Sequence, residues 1–224
     1  MTTALVTGAN KGIGLEIVKQ LVDRGMTVYL GARDPERGEK AAADTGARYV
    51  QLDVTDPASV RRAADSIDDL DVLVNNAGIT GGRMNEPGDV DLDSVRAAFE
   101  TNVFGVITVT EAFLPHLRRA DHGRIVNMSS SVGSLSAMLT SESPNSLAYV
   151  PSKSAVNAVT VSYAKAEPGL RINAGCPGFC ATDLNGHRGY RTAAQGATIA
   201  VTLATLDDDG PTGGFYDDNG VVAW

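Results

Sequence analysis

Apolar, β-rich runs alternate with longer amphipathic stretches along most of this chain, the pattern that successive strand–helix–strand units leave when helices cover a parallel sheet. The first strand is expected over residues 4–7 and the first helix over 12–24, followed by a strand over 27–32 and a helix opening at Pro35. A third strand over 47–52 precedes a helix that starts after Asp56-Pro57, where a proline suits the first helical turn. Residues 71–75 read as strand four, 92–119 as one long helix and 123–129 as strand five, with its apolar centre at Ile125-Val126. After an irregular Ser-rich segment come a helix over 149–165, strand six over 171–175, a last helix over 193–206 and a short closing strand over 214–216. The 24 glycines gather at strand-to-helix turns, with no repeat of fixed period, linker or low-complexity tract. These features predict a single α/β domain over residues 1–224, a doubly wound and mostly parallel seven-stranded sheet with helices on both faces.

Composition narrows what such a domain does. Hydrophobic residues at 43% and charged residues at 21% are ordinary for a soluble globular protein. No run approaches the roughly 20 apolar residues of a membrane span, and Met1-Thr2-Thr3 leads into a short strand without the features of a signal peptide. The expectation is a cytoplasmic protein without a membrane partner. A net charge of −8 opposes general affinity for nucleic acid, which needs a basic surface. Cys176 and Cys180 make neither a disulfide framework nor a four-ligand zinc site and read as free thiols. His116, His122 and His187 lack metal-ligand spacing, so no metal is expected, and Asp207-Asp208-Asp209-Gly210-Pro211 reads as a solvated turn.

The turn after strand one, Thr7-Gly8-Ala9-Asn10-Lys11-Gly12-Ile13-Gly14, places glycines where the backbone must bend sharply and approach a pyrophosphate at a helix N-terminus. The chain also carries Asp53-Val54 after strand three, Asn75-Asn76-Ala77-Gly78 after strand four, Asn102 in the long helix and Ser130 after strand five. Tyr149-x-x-x-Lys153 and Pro177-Gly178 with Thr182 complete the set. In order and placement these fragments resemble the short-chain dehydrogenase/reductase family, whose glycine pattern is TGxxxGxG, and the resemblance covers nearly the whole chain. Asn10-Lys11-Gly12 and the ending from Gly210-Pro211-Thr212-Gly213-Gly214-Phe215 to Trp224 look most like the NADPH-dependent carbonyl reductases of that family.

The resemblance implies a Rossmann fold and a catalytic set of Asn102, Ser130, Tyr149 and Lys153. It implies cofactor contacts from Gly8, Asn10, Lys11, Gly12, Ile13 and Gly14. Asp53 would meet the adenine amino group beside Val54, Asn76, Ala77 and Gly78 would line a ribose, and Pro177, Gly178 and Thr182 would hold the nicotinamide end, with Tyr149 and Lys153 also touching the cofactor. Arg33 ends strand two, where a cation reads a 2′-phosphate, and Lys11 reaches the same place from the glycine loop, so NADPH/NADP+ is the expected cofactor. Asp34 would read ribose hydroxyls instead if strand two ended one residue later.

Carbonyl reduction needs a hydride at carbon and a proton at oxygen. Lys153 lies one helical turn from Tyr149, and an adjacent cation lowers a phenol from its ordinary pKa of about 10. Pro151 is tolerated if the helix begins near Tyr149. Ser130 is expected to orient the substrate oxygen, with Ser131 as the alternative, and the resemblance gives Asn102 a link from Lys153 to a relaying water. Residues 135–147 and 179–190 are expected to wall a pocket for a small carbonyl substrate, with Met138, Leu139, Phe179 and Leu184 as contacts. The second wall is short for the family, which suggests bulky ketones. Ser130 and Tyr149 are 19 positions apart, more than in most members of the family it resembles yet much less than in its monomeric carbonyl reductases, so monomer and homo-oligomer both stay open. An alcohol dehydrogenase working in the oxidative direction and a non-catalytic NADP(H)-sensing protein are the alternative functions.

Overall fold

The structure is a computed structural model that describes residues 2–82, 85–140 and 146–224. One sheet runs through it in the order β3-β2-β1-β4-β5-β6-β7-β8. Its strands are β1 (Thr3–Thr7), β2 (Thr27–Ala32), β3 (Arg48–Gln51), β4 (Val72–Asn75), β5 (Arg124–Met128), β6 (Arg171–Gly175), β7 (Phe215–Asp217) and β8 (Gly220–Val221). The first seven pair in parallel, and β8 turns back antiparallel on β7 with Tyr216 opposite Val221. The expected seven strands are thus eight. The additional strand is only two residues long and both are exposed, so neither burial nor alternation marks it in the sequence.

The helices are α1 (Gly12–Val22), α2 (Pro35–Thr45), α3 (Pro57–Asp65), α4 (Leu92–Phe99), α5 (Gly105–Arg119), α6 (Tyr149–Ala166) and α7 (Ala193–Ala204). Their starts follow from local chemistry. Asp34 Oδ1 accepts from Arg37 N and Asp56 Oδ1 from Ala58 N, each followed by proline in the first turn, and Asp91 Oδ1 accepts from Asp93 N. Thr192 and Gln195 close a reciprocal box at the start of α7. Pro151 falls in the first turn of α6, as expected.

The central strands feed both faces of the sheet. Ala4 and Val6, Val72 and Val74, and Val126 and Met128 pack on one side against Ile17, Val18, Leu21 and the α7 residues Ala197, Ile199 and Ala200. The intervening Leu5, Leu73, Ile125 and Ile172 pack on the other against Val60, Val109, Phe113 and Leu117. A strand buried on both faces is apolar on both, which is why Val72-Leu73-Val74 in β4 and Ile125-Val126 in β5 read as unbroken apolar runs, while the buried Asn75 and Asn127 bond each other.

The expected long helix is interrupted. Glu100–Phe104 between α4 and α5 forms a turn of π-helix, and Asn102 sits in it, buried. By length and mean hydropathy this stretch, Leu92–Arg119, does reach the requirement of a membrane span, contrary to the expectation. Half of its most apolar window is buried in the fold, where Val109, Phe113 and Leu117 are fully enclosed. Asp207-Asp208-Asp209 lies in an exposed turn, as expected, and within it Asp208 is paired. Its carboxylate takes a hydrogen bond from Arg124 Nη2 at 2.8 Å and meets His122 Nδ1 at 2.7 Å, and these bonds hold it below the usual carboxylate range. Both cysteines are buried free thiols, as expected.

Phe113→Ala deletes a fully enclosed ring between α5 and the sheet. It is expected to lower the unfolding free energy by about 3–5 kcal/mol, seen as a lower urea midpoint at unchanged slope; a loss under about 1 kcal/mol would contradict this packing.

Candidate active site

The strand order reverses between β1 and β4, and the loops that leave these two strands diverge there to open a groove. Thr7 holds its floor together. Its Oγ1 accepts from Asn76 N and Ala77 N, both at 3.0 Å, while Asn76 Nδ2 donates to Thr7 O at 2.9 Å and Gly8 O at 3.2 Å. The turn needs its glycines. Gly8 has φ +62°, and a Cβ on it would stand 2.8 Å from Ala77 Cα, whereas a Cβ on Gly14 would stand 2.4 Å from Asn76 Nδ2. No side chain caps the start of α1, whose first residues Gly12, Ile13 and Gly14 line the groove, so its first N–H groups stay open to an anion there.

The groove has a volume of about 720 Å³, and most expected cofactor contacts line it. Gly8, Asn10, Lys11, Gly12, Ile13 and Gly14 come from the glycine turn, Arg33 from the end of β2, and Asp53 and Val54 from the end of β3. Asn76, Ala77 and Gly78 follow β4, and Thr182 faces them from beyond β6. Arg33 and Asp34 are told apart here. Strand β2 ends at Ala32, Arg33 lines the groove, and Asp34 is turned to cap α2. Asp53 Oδ1 accepts from Thr55 N and Thr55 Oγ1. Lys11 Nζ donates to Asp183 Oδ2 at 2.7 Å, and the other oxygen of Asp183 lies 2.8 Å from His187 Nε2, so the carboxyl is held below its usual range. A phosphate that takes Lys11 must displace Asp183, at little cost because the pair is exposed.

At the inner edge of the groove, Gly78 adjoins the second cluster. A Cβ there would lie 3.3 Å from Asn102 Oδ1 and 3.6 Å from Lys153 Nζ. Ser130 follows β5 and its hydroxyl bonds the Tyr149 hydroxyl. Ser131 instead opens a 3₁₀ turn, its N–H on Cys176 Sγ at 3.2 Å, so of the two serines it is Ser130 that meets Tyr149. Lys153 is buried; its Nζ donates to Met128 O at 2.8 Å and lies 5.6 Å from the centre of the Tyr149 ring. Asn102 Oδ1 accepts from Ile79 N, and its Nδ2 donates to Ile79 O and Ser152 Oγ, each at 2.9 Å.

One expectation about this cluster is corrected. Burial pushes Tyr149 up to about 12, against a partial downward pull from the Ser130 hydrogen bond and with a small further rise from Cys176. Burial likewise draws Lys153 down to about 8. In the protein alone, loss of water sets the direction of both shifts, and the hydrogen bond of Lys153 Nζ goes to Met128 O.

The family model for short chain dehydrogenase matches residues 2–192. The chain belongs to the short-chain dehydrogenase family. Carbonyl reductase [NADPH] 1 of Rattus norvegicus is 33% identical, with 99% of this chain and 98% of that protein covered. A (+)-neomenthol dehydrogenase of Capsicum annuum is 31% identical over 296 aligned positions, with 95% and 94% covered. That alignment is longer than the 224 residues here, so the relative carries insertions that this chain lacks. Among solved structures, an NADPH-bound carbonyl reductase from chicken fatty liver superposes with a TM-score of 0.89 at 30% identity, covering 100% of this chain and 99% of the other. The chain is accordingly an oxidoreductase of this family.

The remaining expected residues of this family member are placed unevenly. Pro177 and Gly178 follow β6 as expected but stand outside the groove lining, with Gly178 at φ +73° against Arg191 Cδ. Leu184 does line the groove, while Phe179 lies against Tyr190 with ring centres 6.2 Å apart. Met138 and Leu139 share a 3₁₀ turn, and Leu139 is 99% exposed, so it makes no protein packing. Residues 141–145 of the first expected wall lie outside the described residues. Asp183 and His187, unnamed members of the expected 179–190 wall, also line the groove, as do Ile79 and Thr101, which the sequence reading missed. It also missed Asn157, whose Oδ1 accepts from Ser129 Oγ at 2.6 Å and whose Nδ2 donates to Gly133 O. An Asn in mid-helix facing an apolar sheet was the available signal for that one.

The shifted pair has a consequence for stability. Lys153 binds its proton more weakly when folded, so stability rises with pH from about 8 towards its ordinary value of 10.5. Tyr149 binds its proton more tightly when folded, so stability then falls as pH rises from 10 towards about 12. Urea midpoints taken from pH 7 to 10 should therefore climb in the wild type and lose that component in Lys153→Met; equal slopes in both proteins would contradict a buried ammonium.

Proposed function

We propose that this enzyme reduces a ketone or aldehyde to an alcohol with NADPH. The observation that carries the proposal is the single cluster of Ser130, Tyr149 and Lys153 set against Gly78, the innermost residue of the cofactor groove. The groove suits the dinucleotide: glycines 8 and 14 leave room that a Cβ would fill, an uncapped helix start supplies N–H donors, and Arg33 and Lys11 are the two cations at its adenosine end. Bound NADPH supplies the hydride delivered to the carbonyl carbon.

The chain's own residues do the rest. Ser130 Oγ donates to the carbonyl oxygen and fixes the distance from that oxygen to Tyr149 Oη. As charge builds on the oxygen, Tyr149 gives up its proton. Its raised pKa keeps that proton in place at neutral pH until the alkoxide, a stronger base, demands it. Lys153 is still protonated at neutral pH and stabilises the phenolate left behind, and the rigid Met128 carbonyl holds its ammonium so that little rearrangement accompanies transfer. Asn102 holds Ile79 and Ser152 beside Lys153, and to this corner we assign the water that returns a proton to Tyr149. The shorter chain, compared with its neomenthol dehydrogenase relative, favours an open pocket and bulky cyclic ketones as substrates. Two free buried thiols fit a cytoplasmic setting.

The test is NADPH oxidation across aliphatic, aromatic and polycyclic ketones. Tyr149→Phe should lose at least about 10²-fold in kcat, the lower range for general acid catalysis, while its NADPH affinity stays within about twofold. Tight NADPH binding without turnover of any ketone would instead mean a cofactor-sensing protein. In the same assay Arg33→Ala should cut the preference for NADPH over NADH by about 10-fold or more, the worth of one charge-assisted bond, without raising the KM for NADH. An unchanged preference would remove Arg33 from phosphate recognition.

A further inference from the structure

The segment that follows the catalytic serine is fastened by a part of the chain far away in sequence. Ser134 is buried, and its Oγ donates to Ala223 O at 2.7 Å; two residues on, Ser136 N donates to Trp224 O at 2.9 Å. Val222 N donates to Phe215 O at 2.8 Å, and the Trp224 indole stacks on the Phe215 ring with centres 5.6 Å apart and planes 19° apart. Phe215 is itself fully buried with Ala174 and Cys176, and Cys176 Sγ receives the N–H of Ser131. Strand β6, strand β7 and residues 222–224 thus close a ring of contacts around the backbone that runs from Ser130 to Ser136.

We infer that residues 222–224 are a brace for the carbonyl side of the site, with Trp224 as a positioning residue that sets where Leu135 is presented to substrate. This rests on the proposed carbonyl reduction. Leu135 lies between the two pinned serines and is 67% exposed, so the backbone that residues 222–224 hold also holds an apolar side chain in the open just beyond Ser130. The brace acts on one side of the site only: neither residues 131–140 nor residues 222–224 line the cofactor groove. Trp224 therefore influences recognition of the carbonyl compound, and bulky apolar compounds more than small ones, because only these extend as far as Leu135.

Trp224→Ala and Trp224→Phe separate this from a purely structural role. In Trp224→Ala, amide hydrogen exchange should speed up in peptides covering 131–140 and stay unchanged in those covering 7–14. The KM for the bulkiest ketone turned over should rise about tenfold, as expected when binding shared by ground and transition states is removed. The KM for the smallest ketone, the KM for NADPH and kcat should each stay within about twofold. Trp224→Phe, which keeps a ring to stack on Phe215, should restore both readouts. Unchanged exchange over 131–140 overturns the brace; so does a loss that falls equally on ketones and NADPH, or faster exchange with both ketone KM values unaltered. If the wild type reduces no ketone, carbonyl reduction is what fails, and exchange over 131–140 still decides whether residues 222–224 hold that segment.

Discussion

A buried ammonium organises the working end of this protein. Lys153 has lost nearly all contact with water, and a cation so placed is tolerated only where the surroundings supply fixed oxygen. Met128 O, the last carbonyl of β5, supplies it. Three loops are drawn to that point and must be small where they pass it. A Cβ on Gly133 would press on the Lys153 backbone at 2.7 Å, and Gly78 comes within reach of Nζ itself. The loop after β4, the turn after β5 and the first turns of α6 are thereby fixed relative to one another, and with them the groove edge, Ser130 and Tyr149.

On the proposed reading, the charges that result are matched to donating a proton rather than to storing a negative charge. Lys153, drawn down to about 8, is still a cation at neutral pH, and Tyr149, pushed up to about 12, is a full acid. Each shift comes mainly from burial, and each makes its own group readier to respond when charge appears nearby. Ser130 is the one neighbour whose hydrogen bond already favours the phenolate. An arriving positive charge, or a substrate oxygen turning into an alkoxide, tips a pair that is poised and dry.

Much of this was legible in the sequence because it rests on local rules. Period-two alternation with both phases apolar marks a strand buried on both faces, as Ala4-Leu5-Val6 and Val72-Leu73-Val74 illustrate. Asp-Pro pairs mark helix starts, and glycines at positions 8 and 14 mark the close approach of β1 to the loop after β4. What was not legible depends on distance in the chain or on a balance of energies. The π-helical turn at Asn102 is a one-residue change of winding with no change in apolar pattern. Lys11 with Asp183, and Ser134 with Ala223, are pairs that only the folded sheet brings together. The Tyr149 shift was misjudged because helical spacing reveals the neighbouring cation but not the loss of water around the hydroxyl.

The most direct measurement is the ionisation of Tyr149 itself, followed as tyrosinate absorbance in the wild type minus Tyr149→Phe, with and without saturating NADP+. The account predicts ionisation near 12 for the protein alone and a fall of at least about 1 unit with NADP+ bound, shrinking when Lys153 is replaced by Met. Ionisation at the ordinary value near 10 in the protein alone, or a value indifferent to NADP+, would contradict it.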